Sequence, residues 1–307
     1  MPVSTHNDSS TPTLVTPSLL RDWPLPAPGE DKYSRGAVLV IGGARATPGA
    51  ALLAGTAALR AGAGKITLAV AESVAVHVGV ALPECGSIAL PENAGGSVTG
   101  EGLDRITSYL ERADAVLIGP GLDDLELAES LLRALLKREE SSGAADDAGA
   151  PAVVLDAYAL GGLVKIEDEL GPWRGRLVLT PNPTEAGILL GRDVEDLGAD
   201  VAEIARRFDA VVSCQGYIAA PEPTEDSVLW KITTGYGGLG TSGSGDVLAG
   251  AIAGLRARGT SDAQAACWGT HLHAAAADRL ASKLGPLGFL ARELADELPA
   301  LMLELNT

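Results

Sequence analysis

The chain has 307 residues, 46% of them hydrophobic, and a formal net charge of −17. That length suits one large α/β domain or two small ones, with enough apolar content for a sizeable core. The acidity, without any run of Lys or Arg, excludes a general nucleic-acid surface. No apolar stretch reaches the roughly 18 residues that predict a membrane span.

Residues 1–16 (MPVSTHNDSSTPTLVT) are polar and proline-containing, and read as a flexible tail before a single domain over 17–307. The segments AVLVI (37–41), KITLAV (65–70), DAVLI (114–118), AVVLD (152–156) and RLVLT (176–180) are apolar and β-branched, the pattern of buried parallel strands. PGAALLAGTAALRAG (48–62) and LELAESLLRALLKREE (125–140) between them predict helices. SSGAADDAGAP (141–151) is a surface loop within this alternation. AVVSC (210–214), YIAA (217–220) and SVLWKI (227–232), separated by short gaps, predict hairpin-linked strands at one edge. Three helices, over 243–258, 261–283 and 287–304, complete a doubly wound α/β pattern. Cys85, Cys214 and Cys267 are widely spaced and match neither a disulfide framework nor a zinc site. With no basic-then-apolar leader at the N-terminus, they point to the cytoplasm.

In open α/β sheets, ligands gather beyond the carboxyl ends of the strands. Five clusters fall there: GGARATPGA (42–50), GPGL (119–122), Asp156, TPNPTE (180–185) and CQG (214–216). The segment TSGSGD (241–246) then leads into a helix. Gly243 and Gly245 let the backbone approach a ligand closely, and Ser244 completes a candidate anion hole at the positive end of that helix. Asp246 would repel the same anion. Either it belongs to the helix's first turn for capping, or it is a general base beside a phosphate; these residues alone leave both open.

Other motifs lead nowhere. GYGGLG (235–240) matches G-x-G-x-x-G but does not follow the first strand of a βαβ unit. AGAGKI (61–66) lacks the residues of a P-loop. His271 and His273 point to different helix faces, making a poor metal pair and ordinary packing or surface residues.

Taken together, KYSRGAVLVIGG, PGAALLAGTAALRAGAGK, LIGPGL, VVLDAYAL, LTPNPTEAG, GGLGTSGSGDVLAG and FLARELADELP resemble the ADP/ATP-dependent NAD(P)H-hydrate dehydratases, a branch of the ribokinase-like superfamily. The resemblance runs from about residue 17 to 305. It implies a three-layer αβα fold with a mostly parallel central sheet and an antiparallel edge, assembled as a homotetramer. It also implies phosphorylation of the ring hydroxyl of hydrated NADH or NADPH by ADP or ATP, followed by loss of phosphate. Carried over by position, Asp246 is the base and Gly243, Ser244 and Gly245 form the anion hole. Ala51, Gly121 and Asn182 line the hydrate site together with Asp246. Gln215, Gly216, Tyr217 and Gly245 meet the adenine nucleotide, and Glu185 holds Mg²⁺ through water. An epimerase on a separate chain is an implied partner.

Three positions depart from the family pattern. Asn182 replaces a histidine, the neutral Gln215 replaces a lysine, and Tyr236 stands at a habitual asparagine. Losing the lysine removes a charge-assisted contact to phosphate, typically about 1.5–3 kcal/mol. A kinase of another small hydroxylated metabolite, or a catalytically silent nucleotide-binding protein, therefore stays open on the residues alone.

Overall fold

The computed structural model describes residues 11–27, 29–142, 149–221, 227–235 and 237–305. Its first half contains β1 (Thr13–Val15), α1 (Pro17–Asp22), β2 (Ala37–Ile41), α2 (Pro48–Arg60), β3 (Lys65–Ala71), α3 (Ala75–Ala81) and β4 (Cys85–Leu90). Then come α4 (Thr107–Leu110), β5 (Ala115–Ile118), α5 (Leu125–Ser142), β6 (Ala152–Leu155), α6 (Tyr158–Lys165) and β7 (Leu177–Leu179). The remainder comprises α7 (Pro183–Leu190), α8 (Leu197–Phe208), β8 (Ala210–Cys214), β9 (Tyr217–Pro221), β10 (Ser227–Ile232), α9 (Ser244–Ala257), α10 (Asp262–Leu284) and α11 (Ala291–Glu304).

All ten strands form one sheet in the order β1-β10-β9-β8-β7-β6-β5-β2-β3-β4. From β4 to β8 every pairing is parallel; β9 then runs antiparallel to both β8 and β10. Strands β5, β6 and β7 are fully buried because helices cover both faces, so their sequences are continuously apolar rather than alternating. One core lies between the sheet and α2, α9, α10 and α11; a second lies between the opposite face and α5, α6, α7 and α8. The expected three-layer αβα fold with an antiparallel edge is therefore present.

The chain leaves β2 toward β3 and β4, then returns to lay β5 on β2's other side. This reversal creates a crevice between the loops after β2 and β5, the usual ligand position in such sheets. The two loops interlock: Gly43 and Ala44 N–H groups donate to the Pro120 and Gly121 carbonyls, both at 2.8 Å. Above the crevice, α2 and α9 pack with their backbones almost touching. A Cβ added to Gly250 would stand 2.1 Å from the Ala54 carbonyl oxygen, and one on Gly254 would stand 2.4 Å from that of Ala58. Only glycine permits that approach.

Some expectations need correction. Thr13–Val15, counted in the tail by composition, pair in parallel with Trp230–Ile232, and Thr16 caps α1 by accepting the Leu19 N–H at 3.2 Å. Three residues are too few to display strand alternation. Residues 1–10 lie outside the described residues, as do 143–148 of the expected loop, while α5 runs on to Ser142. Nothing in CGSIAL had suggested β4. The last helix begins at Ala291 rather than 287, where Glu293 accepts the Leu290 N–H at 2.6 Å.

Candidate active site

Each of the five clusters follows the carboxyl end of a parallel strand: β2, β5, β6, β7 and β8. Asp246 sits at the third position of α9, the helix beside the crevice. Gly243 takes a left-handed φ of 89° and turns the chain into that helix without a side-chain cap. Asp246 makes no side-chain hydrogen bond to the helix backbone among the described residues, which disfavours the capping role. Burial, then the nearby Glu185 charge, pushes its carboxyl up to about 6. A base that is half-buried and ionised near neutrality can still reach a ligand.

The anion cradle is narrower than expected. Ser244 is buried, and its N–H already donates to the Thr241 carbonyl at 3.2 Å. The N–H groups of Gly243, Gly245 and Asp246 have no backbone partner among the described residues. Gly245 faces open space. Ser244 is instead anchored from beneath by His273, whose Nε2 lies 3.0 Å from its carbonyl oxygen and 3.2 Å from its Oγ. Because a carbonyl can only accept, Nε2 carries the proton. Burial pushes His273 down to about 4, so it stays neutral at physiological pH. The histidines are thus not surface residues: both are buried, and His273 fixes the turn that presents Asp246.

On the opposite face, α7 begins with a reciprocal cap. Asn182 Oδ1 accepts the Glu185 N–H at 3.0 Å, and Glu185 Oε2 accepts the Asn182 N–H at 2.9 Å. The Asn182 side-chain oxygen is therefore committed to α7, and Glu185 keeps one carboxylate oxygen outside this pair. Burial raises the Glu185 carboxyl above its ordinary range. Among the described residues, no three His, Cys, Asp or Glu side chains cluster closely enough to hold a metal by themselves.

Ala51 is fully buried against the Gly43 turn, so its side chain can position α2 but cannot touch a ligand. Gly121 (φ 77°) fixes the crevice wall, its carbonyl accepting the Thr47 hydroxyl at 2.8 Å. Gln215 (φ 45°) and Gly216 (φ 82°) form the two-residue turn between paired Cys214 and Tyr217. This turn lies beyond β8, whereas α9 packs over β6, β5 and β2; two strand spacings of roughly 4.8 Å each separate β6 from β8. Tyr236 lies outside the described residues. The rest of GYGGLG is no dinucleotide site: Gly235 donates to Asp278 at 2.8 Å, and Gly238 lies against the Phe289 ring.

One residue at this edge had been given no role. Asp156 is 5% exposed at the end of β6 and accepts the Thr180 hydroxyl at 2.8 Å. Burial first, then the charges of Asp246 and Glu185, push its carboxyl up to about 7. Its place after a buried strand was the available signal. A carboxyl raised on folding stabilises the fold fully below its unfolded value near 4, and that contribution disappears as pH rises through about 7. Asp156→Asn should therefore lose less thermal stability between pH 5 and pH 8 than wild type. Identical pH dependence of Tm in the two proteins would refute this assignment.

A family model described as NAD(P)H-hydrate dehydratase matches residues 38–300. The chain is 42% identical over 295 residues to the ADP-dependent (S)-NAD(P)H-hydrate dehydratase of Xanthomonas campestris, covering 94% of this chain and 95% of that protein. The bifunctional NAD(P)H-hydrate repair enzyme of Moorella thermoacetica is 38% identical over 278 residues, 88% of this chain and 50% of that protein. The chain thus spans about half the length of that bifunctional relative. The structure of the ADP/ATP-dependent NAD(P)H-hydrate dehydratase of Bacillus subtilis, co-crystallised with ATP and Mg²⁺, superposes with a TM-score of 0.74. It is 26% identical and covers 96% of this chain and 99% of that one. A ribokinase-like protein of Enterococcus faecalis shares the fold at a TM-score of 0.75 and 21% identity, over 95% of this chain and 96% of its own.

Proposed function

As the chain belongs to the NAD(P)H-hydrate dehydratase family, we propose that its β2–β5 crevice and the neighbouring strand ends carry that reaction. The enzyme is an ADP- or ATP-dependent dehydratase that returns (S)-hydrated NADH or NADPH to NADH or NADPH. The observation that carries the site assignment is Asp246: half-buried, raised to about 6, and set among N–H groups at the start of α9 that have no backbone partner among the described residues.

In this reading the hydrated ring lies in the crevice, walled by Gly121 and the interlocked loops, with its hydroxyl beside Asp246. The carboxylate takes the hydroxyl proton as the oxygen attacks the terminal phosphorus of ADP or ATP. The bond from that phosphorus to the bridging oxygen breaks, releasing AMP or ADP. The N–H groups of Gly243, Gly245 and Asp246 receive the charge of the transferring phosphoryl group. The ring nitrogen's electron pair then forms a C=N bond as the C–O bond breaks and phosphate departs. Loss of a proton from the adjacent carbon restores the ring double bond.

The donor chemistry fits Mg²⁺, which keeps several waters and takes one or two carboxylates together with nucleotide phosphates. Glu185 would hold it through water, and the crowded negative charges of Glu185 and Asp246 favour a cation there. When bound, the ion neutralises charge on the phosphates. The Gln215–Tyr217 turn borders the nucleotide. A homotetramer, a separate epimerase and a cytoplasmic location complete the reading, the last supported by three free cysteines.

The test is absorbance at 340 nm with enzyme, Mg²⁺, hydrated NADH and ADP, then ATP. A nucleotide-dependent rise is expected. A flat trace with folded protein, or a stable phosphorylated product, would overturn the dehydration step and favour a kinase of another metabolite.

A further inference from the structure

We propose that the amino edge of the sheet holds a second ligand site, apart from the crevice, for a small phosphate monoester. A cavity of about 240 Å³ opens where β2 and β3 begin, with Ala37, Val38 and Leu39 as its floor. Ala37 pairs with Lys65 and Leu39 with Thr67, so Lys65 and Thr67 border it from the next strand. β2 climbs from Ala37 to Ile41, roughly 13 Å, before it reaches the loops of the crevice. The cavity exists because α4 makes a single turn over Thr107–Leu110 and leaves the two strand starts open. Tyr109 and Arg112, from α4 and the turn after it, form the remaining wall.

The lining is unlike the rest of this acidic chain. Its charged and hydroxyl groups are one ammonium, one guanidinium and two hydroxyls, with no carboxylate. Neither Lys65 nor Arg112 makes an ion pair among the described residues. Each sits on an aromatic ring instead. Lys65 Nζ lies 5.0 Å from the centre of the Tyr33 ring, and the Arg112 guanidinium lies 5.8 Å from that of Tyr109. Such contacts orient a cation and leave its charge uncancelled. Arg112 Nε donates to the Ser108 carbonyl at 2.6 Å, and its two terminal nitrogens donate to nothing among the described residues. The acids beside Arg112 in the chain have other partners: Glu111 pairs with Arg138, and Asp114 Oδ2 accepts the Ala37 N–H at 2.8 Å.

A tetrahedral dianion suits this donor set. A phosphate monoester offers three terminal oxygens to share among the ammonium, the guanidinium nitrogens and the hydroxyls of Thr67 and Tyr109. A planar carboxylate has only two. The apolar floor and the Tyr109 ring favour a phosphate carrying an apolar ester group over the bare ion. At about 240 Å³ the cavity falls below the roughly 300–1,000 Å³ of ordinary ligand pockets. That size admits a small monoester and excludes a dinucleotide.

The experiment is calorimetric titration of phenyl phosphate, inorganic phosphate and benzoate into the full chain, with ADP and Mg²⁺ present to occupy the carboxyl edge. Phenyl phosphate should bind at one site per chain, about tenfold tighter than inorganic phosphate or benzoate. Arg112→Gln and Lys65→Gln should each weaken it about 10- to 100-fold, as expected for loss of a charge-assisted contact. Both residues are exposed, so both variants should melt as wild type does. Arg112→Lys should weaken binding less than Arg112→Gln, since it keeps the charge and loses only the fork. Asp246→Asn, at the opposite edge, should leave the isotherm unchanged. No binding of phenyl phosphate, or equal isotherms for wild type, Arg112→Gln and Lys65→Gln, would overturn the proposal. So would an isotherm lost in Asp246→Asn, which would place the ligand in the crevice. Inorganic phosphate or benzoate binding as tightly as phenyl phosphate would overturn the monoester assignment.

Discussion

Asp246→Asn should lower kcat by about 10²–10⁴-fold while leaving nucleotide binding and folding intact. The side chain is nearly isosteric, so the turn held by His273 and Ser244 is undisturbed. What disappears is the only proton acceptor placed by this reading beside the ring hydroxyl. The wild-type pH profile offers a second measurement. Because burial and then the Glu185 charge push the Asp246 carboxyl up to about 6, the ionised base is lost as pH falls through that value. The kcat/KM of wild type should therefore drop about tenfold per unit below pH 6, well above the range of an ordinary carboxylate. Glu185→Gln removes the second cause and should move this acid limb to lower pH. Asp246→Asn should also melt at or above the wild-type temperature at pH 8, since it removes a charge that folding disfavours. A variant with near-normal kcat, or a limb that stays near pH 4, would remove Asp246 from the base role.

The parts legible in the sequence share one property: local pattern and tertiary environment agree. AVLVI and AVVSC form strands with the expected bounds because both faces of each are covered, so an apolar run can mean little else. The turns after them could be placed at one edge because parallel strands all end there. Asp246 was legible for the same reason, its glycines marking a helix start. What escaped depended on partners far along the chain. β1 exists only because β10 offers it an unpaired edge. His273 becomes a positioning residue because Ser244, 29 residues earlier, turns under it. The raised Asp156 carboxyl reflects burial first and then two other acids, on α9 and α7, that only folding brings near. Asn182 shows the opposite case: T-P-N-P-T-E carries a local capping signature in plain view, and its side-chain oxygen caps the helix it begins.

Gly250→Ala should destabilise the protein by about 1–3 kcal/mol and lower its activity together, although the residue lies a full turn away from Asp246. The added methyl would overlap the Ala54 carbonyl oxygen at 2.1 Å. That oxygen belongs to the backbone of α2, so no rotamer change can relieve the clash and the two helices must separate. Their first turns then move as well. α2 sits against the Gly43 turn through Ala51, and α9 carries the proposed anion cradle and the proposed base. A displacement near 1 Å at reacting groups can lower the rate by about 10²-fold. Gly245→Ala provides the contrast within the same helix. Nothing lies within 4 Å of the added carbon, so Tm should hold, and any fall in rate would reflect crowding of the ligand alone. Thermal melts and kcat measured on both variants separate the two effects. A stable, active Gly250→Ala would mean that the close approach of α2 and α9 does not set the geometry of the site.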